Sequence, residues 1–177
     1  MKHSRAGILF LLIFSFSIAR GYAADRKVSV QRQNFITYAL QFRGTPYVYG
    51  GKSTSGFDCS GFVAYTVKNS TDQTLSGSAQ NIYDSVEHID AKEREPGDLI
   101  FFRTTDGSKI SHVGIYLGRY TKDGSFHNKY VFVHAASDGP KTGVIVSSID
   151  EKFWNEHFAG YGRFLPSTAA YNSVHGN

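Results

Sequence analysis

With one cysteine in 177 residues, Cys59, the chain can form no internal disulfide and no Cys-x-x-Cys metal clasp. The fold must therefore be held by its core. Proline is also scarce, at four residues, and no Pro- or Ser-rich stretch or internal repeat marks a linker to a second domain. The net charge is only +4, part of it in the first segment, and Lys and Arg form no stripe interleaved with aromatics. That excludes nucleic acid as a partner. Long apolar runs are missing too. The one candidate, residues 7–18, is too short to span a bilayer comfortably. It follows Lys2 and Arg5 and precedes Gly21-Tyr22-Ala23, the pattern of a cleaved export signal over residues 1–23. An uncleaved anchor stopped by Arg20 is the alternative. No cysteine stands near the cleavage site, which excludes lipid attachment there. Once the signal is cleaved, no stable membrane insertion is expected, and the protein acts in the periplasm or outside the cell.

What the chain does have is apolar and aromatic material, 41% and 15% of residues. About 150 residues after the signal suffice for one domain with a real core. That domain is expected over residues 24–166, with a small, polar, flexible tail over 167–177. Apolar residues at helical spacing predict a helix from Val28 to Phe42, ended by Gly44 and Pro46. A second helix starts at Cys59 and a third runs from Ser78 toward Val86. Beyond Glu95-Pro96-Gly97-Asp98 the pattern turns to short strands: Leu99–Phe102, Ser111–Leu117, Tyr130–Ala136 and Val144–Ser147. Helices followed by strands predict an α+β domain, N-terminal helices packed on a mostly antiparallel sheet.

Cys59 sits where a glycine-rich turn gives way to a helix, with Asp58 as N-cap and Phe62, Val63 and Tyr65 forming an apolar face behind it. A lone cysteine is more often a small buried hydrophobe than a nucleophile. At a helix start, however, unpaired N–H groups and the helix dipole favour thiolate, and a catalytic thiol becomes the stronger reading. Its partners are sought among histidines on alternating strands. His112 shares a strand face with Gly114 and Tyr116, and His134 shares one with Phe132 and Ala136. A three-residue loop at Lys122-Asp123-Gly124 would pair Thr121 with Ser125, and the same register carried along pairs His112 with His134. A one-residue slip would put the two on opposite faces. A strand histidine is commonly a core or surface residue, but two that pair by turn logic beside one thiol suit a base and its orienting partner. His88 and His127 read as surface residues, and His157 as a core candidate. A zinc site from Cys59, His112 and His134 has suitable ligand types, yet no chelating pair at close spacing supports it; no metal is assigned.

The strings Gly44-Thr45-Pro46-Tyr47-Val48-Tyr49-Gly50-Gly51, Phe57-Asp58-Cys59-Ser60-Gly61-Phe62, Pro96-Gly97-Asp98-Leu99 and His112-Val113-Gly114-Ile115-Tyr116 resemble the NlpC/P60 cysteine peptidases, cell-wall hydrolases with a papain-like core. The resemblance runs from about residue 30 to residue 165, with the motifs in the family's order. It implies Cys59 as nucleophile, His112 as base and then acid, and His134 as the polar residue that orients His112. It further implies Tyr47 as an oxyanion donor, with Asp58, Ser60 and Ser78 gripping the substrate peptide. The implied substrate is the peptidoglycan stem peptide, cut between D-γ-glutamyl and a diamino acid, with no cofactor. A thiolate paired with an imidazolium near neutral pH would supply the nucleophile.

Two departures from the family pattern stand out: Tyr49 replaces a tryptophan, and Ser76-Gly77 replaces an arginine before Ser78. The hairpin from Arg119 to Lys129 is also longer than usual and is placed beside the cleft. Related papain-like folds leave two alternatives open. One is an N-acetylmuramoyl-L-alanine amidase or acyltransferase; the other is a non-catalytic domain binding wall fragments or a partner. No protein regulator is identified, and cell-wall association is expected.

Overall fold

The computed structural model describes residues 29–168. The expected signal segment and most of the expected tail lie outside the described residues. Helix α1 (Val30–Leu40) starts at Ser29, whose side chain accepts a hydrogen bond from the Arg32 amide. A two-residue hairpin, β1 (Lys52–Ser53) and β2 (Gly56–Phe57), leads into α2 (Cys59–Ser70). There follow α3 (Ala79–Asp84), β3 (Glu87–Ile89), β4 (Leu99–Phe102), β5 (His112–Arg119), β6 (Tyr130–Ala136), β7 (Gly143–Ser148), α4 (Lys152–His157) and β8 (Phe158–Arg163). The larger sheet has the order β3-β8-β4-β5-β6-β7 with antiparallel neighbours. The expected α+β class is therefore what the chain adopts.

Two apolar layers follow from strand alternation. Phe35, Ile36 and Ala39 of α1 and Phe62, Val63 and Val67 of α2 meet Phe101, Val113, Ile115, Val131 and Val133 of the sheet in the main core. Ile100, Phe102, Tyr116, Phe132 and Tyr161 form a second cluster, against which Trp154 packs. No helix among the described residues is long and apolar enough to cross a membrane.

One expectation from sequence needs correction. The β5–β6 hairpin does not close at residues 122–124: the Tyr120 amide donates to the Lys129 carbonyl, so the loop is longer. Tyr120 and Phe126 pack edge to face inside it, with ring centroids 6.4 Å apart. The register begins as Arg119↔Tyr130 and Gly118↔Val131, then shifts to Tyr116↔Phe132 and Ile115↔Val133. Leu117 is the extra residue of this bulge, and Gly118, at φ 95°, carries the positive dihedral beside it. Of the expected tail, residues 167 and 168 are described. The Pro166 carbonyl accepts from Arg32 Nε at 2.9 Å, and the Thr168 amide and hydroxyl both donate to Glu95 at 2.7 and 2.8 Å. The chain is therefore pinned to the domain through Thr168.

Candidate active site

The bulge decides where the histidines point. Had the initial register continued, His134 would lie opposite Ile115, on the face away from His112. The one-residue shift puts Gly114 opposite His134 instead, so His112 and His134 share a face two positions apart on neighbouring strands. A side chain at Gly114 would collide there: its Cβ would stand 2.8 Å from the Phe132 ring and 3.1 Å from His134 Cβ. The pairing expected from sequence was thus displaced by two residues, an even number that preserved the face. The rings meet at 2.9 Å between His112 Nε2 and His134 Nδ1, nearly perpendicular to each other.

A third residue, not anticipated from sequence, continues this chain. His134 Nε2 lies 2.9 Å from Ser147 Oγ on β7. Both His134 and Ser147 are buried. The tautomers follow from the order of partners. If His112 Nδ1 is to accept a proton, its neutral ring carries hydrogen on Nε2 and donates to His134 Nδ1; His134 then donates from Nε2 to Ser147. Trp154 of α4 roofs the pair, with its ring 5.1 Å from His112 and 4.7 Å from His134. A single serine at a strand end and a tryptophan in a six-residue helix give no local signal of either role.

Cys59 opens α2 as expected, and Asp58 caps it by accepting from the Gly61 amide at 2.6 Å. The Cys59 sulfur lies 3.8 Å from the Ser111 carbonyl oxygen, one residue before His112. The β5–β6 ladder stops at Ile115↔Val133, so this stretch of β5 is free of cross-strand pairing to β6 where the thiol approaches it. Tyr47 comes to the same point through a parallel bridge to Phe57. Burial raises its phenol above the ordinary value, and the nearby Cys59 and Asp58 charges add to this. Ser60 donates to Asp58 Oδ1 at 3.0 Å. Ser78 caps α3 in a reciprocal capping box, its backbone and hydroxyl both engaged by Asn81. His157 is not a core residue: its Nδ1 bonds the Phe153 carbonyl at 2.7 Å at the surface.

The electrostatics depart from the expected ion pair. Burial pushes the Cys59 thiol up to about 11, and the Asp58 carboxylate adds to the rise. The amides of Val113, Ser60 and Cys59 face the sulfur and pull the other way without prevailing. Burial also drives His112 down to about 4 and His134 well below its ordinary value, His112 contributing to the latter. At rest the thiol and both imidazoles are neutral. A raised thiol pKa leaves about one molecule in 10⁴ as thiolate at neutral pH. Alkylation of Cys59 by iodoacetamide is accordingly expected to be slow near pH 7 and to climb roughly tenfold per unit toward alkaline pH. A rate already at its plateau at about pH 6 would instead reveal the ion pair.

A cleft of about 500 Å³ adjoins this site, with His112, Ser147 and Trp154 in its wall. Phe126, from the long β5–β6 loop, also lines it. Among the described residues, no cluster of His, Cys, Asp and Glu is arranged to hold a metal ion.

Comparison with known proteins places this geometry. The profile of the NlpC/P60 family matches residues 44–163. Over 117 residues the chain is 38% identical to the Escherichia coli protein named "Probable endopeptidase NlpC", covering 66% of this chain and 68% of that one. It is 35% identical over 136 residues to the Bacillus subtilis "Probable peptidoglycan endopeptidase LytE", matching 77% of this chain but only 35% of that longer protein. A crystal structure of a Staphylococcus aureus NLP/P60 protein, described as similar to lipoprotein, superposes with a TM-score of 0.61 at 30% identity, over 81% of this chain and 45% of that one.

Proposed function

Given that the chain belongs to the NlpC/P60 family, we propose that it is a cysteine peptidase that hydrolyses peptidoglycan stem peptides at the D-γ-glutamyl–diamino acid bond. The observations that carry the reading are the buried chain His112–His134–Ser147 and the approach of the Cys59 sulfur to the Ser111 carbonyl, one residue before His112. In this mechanism His112 Nδ1 takes the thiol proton as Cys59 Sγ attacks the amide carbonyl. The new imidazolium is stabilised through its Nε2–H bond to neutral His134, whose own proton rests on Ser147. Because both groups start neutral, charge is created only when the substrate carbonyl is in place. The oxyanion is held by the Cys59 amide at the N-terminus of α2 and by the Tyr47 hydroxyl, each donor worth roughly 10²–10³-fold. His112 then protonates the departing amine, a step worth roughly 10²–10⁴-fold. Water, deprotonated by the same imidazole, releases the thioester. In this reading Asp58 meets a substrate ammonium. The site operates in the periplasm or at the wall, delivered by the segment before residue 24.

Mass spectrometry of defined muropeptides incubated with the protein tests the reading. Fragments ending at D-glutamate are the expected products. Release of an intact stem peptide beginning with L-alanine would identify an amidase instead, and no product from folded protein would favour a binding role.

A further inference from the structure

A side chain of the helix layer reaches across to the strand that carries His112. The Ile110 amide donates to Gln80 Oε1 on α3 at 2.7 Å. The other end of the same side chain, Gln80 Nε2, donates to Asp84 Oδ1 at 2.7 Å, one turn along the helix. A carboxylate only accepts and a backbone N–H only donates, so the two partners fix which way the amide is turned. The helix is itself tied at its start by the Ser78–Asn81 capping box. Gln80 is thus an acceptor already aimed at Ile110.

What it holds is the end of an open connection. Residues 103–111 join β4 to β5, and Thr105 to Lys109 are exposed. Ile110 is where this segment returns to the main core. The next residue, Ser111, brings its carbonyl oxygen to 3.8 Å from the Cys59 sulfur, and His112 follows it. Strand β4 guides this entry from one side, with Phe102 paired to His112, whereas pairing with β6 begins only at Ile115. Gln80 adds a fixed point from the helix layer, two residues ahead of His112.

We propose that Gln80 is a positioning residue: by seating the Ile110 amide it sets where the Ser111 carbonyl and the His112 ring stand against Cys59. This inference rests on the peptidase reading above. The role requires the acceptor oxygen and not the rest of the side chain. Gln80→Glu keeps an oxygen for the Ile110 amide, but it loses the donor to Asp84 and sets two carboxylates four residues apart on one helix. Gln80→Ala loses both bonds. A side chain that only steadied α3 would therefore fare no better as Glu than as Ala.

On muropeptides, Gln80→Ala is expected to lower kcat by roughly 10–100-fold with KM within about twofold, because a misplaced base slows the step without loosening the substrate. Gln80→Glu should keep kcat within about threefold of the parent. Alkylation of Cys59 by iodoacetamide gives a second readout that needs no substrate. Burial is what holds this thiol up to about 11. A loosened 103–111 segment admits water, so Gln80→Ala should react about tenfold faster near pH 7, and Gln80→Glu at the parent rate. Equal losses in the two variants, a raised KM with kcat intact, or parent-like behaviour of Gln80→Ala in both assays would overturn the assignment. If the folded parent cuts no muropeptide, the peptidase reading falls, and the alkylation rates of the three proteins decide by themselves whether Gln80 sets the surroundings of Cys59.

Discussion

Cys59→Ala should abolish hydrolysis of stem peptides, by about 10⁴-fold or more, while moving the melting temperature by only a few degrees. The two effects separate because the thiol's chemistry and its packing are of different size. Cys59 is partly exposed and its sulfur makes a long contact with one carbonyl oxygen, so trading it for a methyl group costs on the order of 1 kcal/mol. The chemical step, by contrast, loses its covalent intermediate altogether. The backbone amides at the start of α2 remain in the variant, and whatever rate survives reports groups other than the thiol. His112→Ala should be nearly as severe, since a thiol held up to about 11 by burial is a poor nucleophile without a base at hand. The double variant should be no slower than Cys59→Ala by itself, because the two residues act as one unit. Hydrolysis assays of the three variants on one muropeptide, with melting curves alongside, decide the matter. More than about 1% residual activity in Cys59→Ala would remove the thiol from the mechanism.

Much of this site was legible because its signals are local. Asp58 ahead of Cys59 is an N-cap in sequence and in structure, and Ser78 likewise starts α3. The strands Leu99–Phe102 and Tyr130–Ala136 have the bounds that their apolar and aromatic runs suggest. Strand β8 gave no such signal. Phe-Ala-Gly-Tyr-Gly-Arg has two glycines in six residues, and it becomes a strand between β3 and β4 because those neighbours supply its hydrogen bonds. Trp154 and Ser147 were illegible for a related reason, since each matters only through contacts made across the fold.

The histidine pair shows how a correct outcome can rest on the wrong geometry. The three-residue turn was wrong, and the longer loop alone would have turned His134 toward the α2 face of the sheet. Leu117 restores the face by adding one residue to β5, which Gly118 accommodates. Nothing in the alternation of His112 to Leu117 announces a bulge. It becomes visible only once the partner strand is fixed, and it is what lets His112 reach His134 at all.

Arg32→Met is the substitution expected to cost the fold most, by roughly 3–5 kcal/mol. Arg32 is fully buried on α1, and its guanidinium donates to four oxygens: Asp98 Oδ1 and the carbonyls of Pro96, Leu165 and Pro166, at 2.9–3.0 Å. Asp98, also fully buried, takes two further bonds from Arg163 and one from the Glu95 amide. This clasp ties the first helix to the start of β4 and to the chain beyond β8. Removing the guanidinium leaves the buried carbonyls of Pro96 and Leu165, and that of the exposed Pro166, without their donor, and strips one of two cations from a buried carboxylate, whose desolvation is then uncompensated. Arg32→Lys keeps the charge but cannot fan out to four acceptors in one plane, so most of the loss should remain. In a domain of this size the expected drop in melting temperature is about 10 °C or more for Arg32→Met. Muropeptide products made at low temperature should be unchanged, because the clasp stands apart from Cys59 and the histidines. A melting temperature within about 2 °C of the parent would show that Arg163 alone satisfies Asp98, and that the clasp contributes little to holding α1 on the sheet.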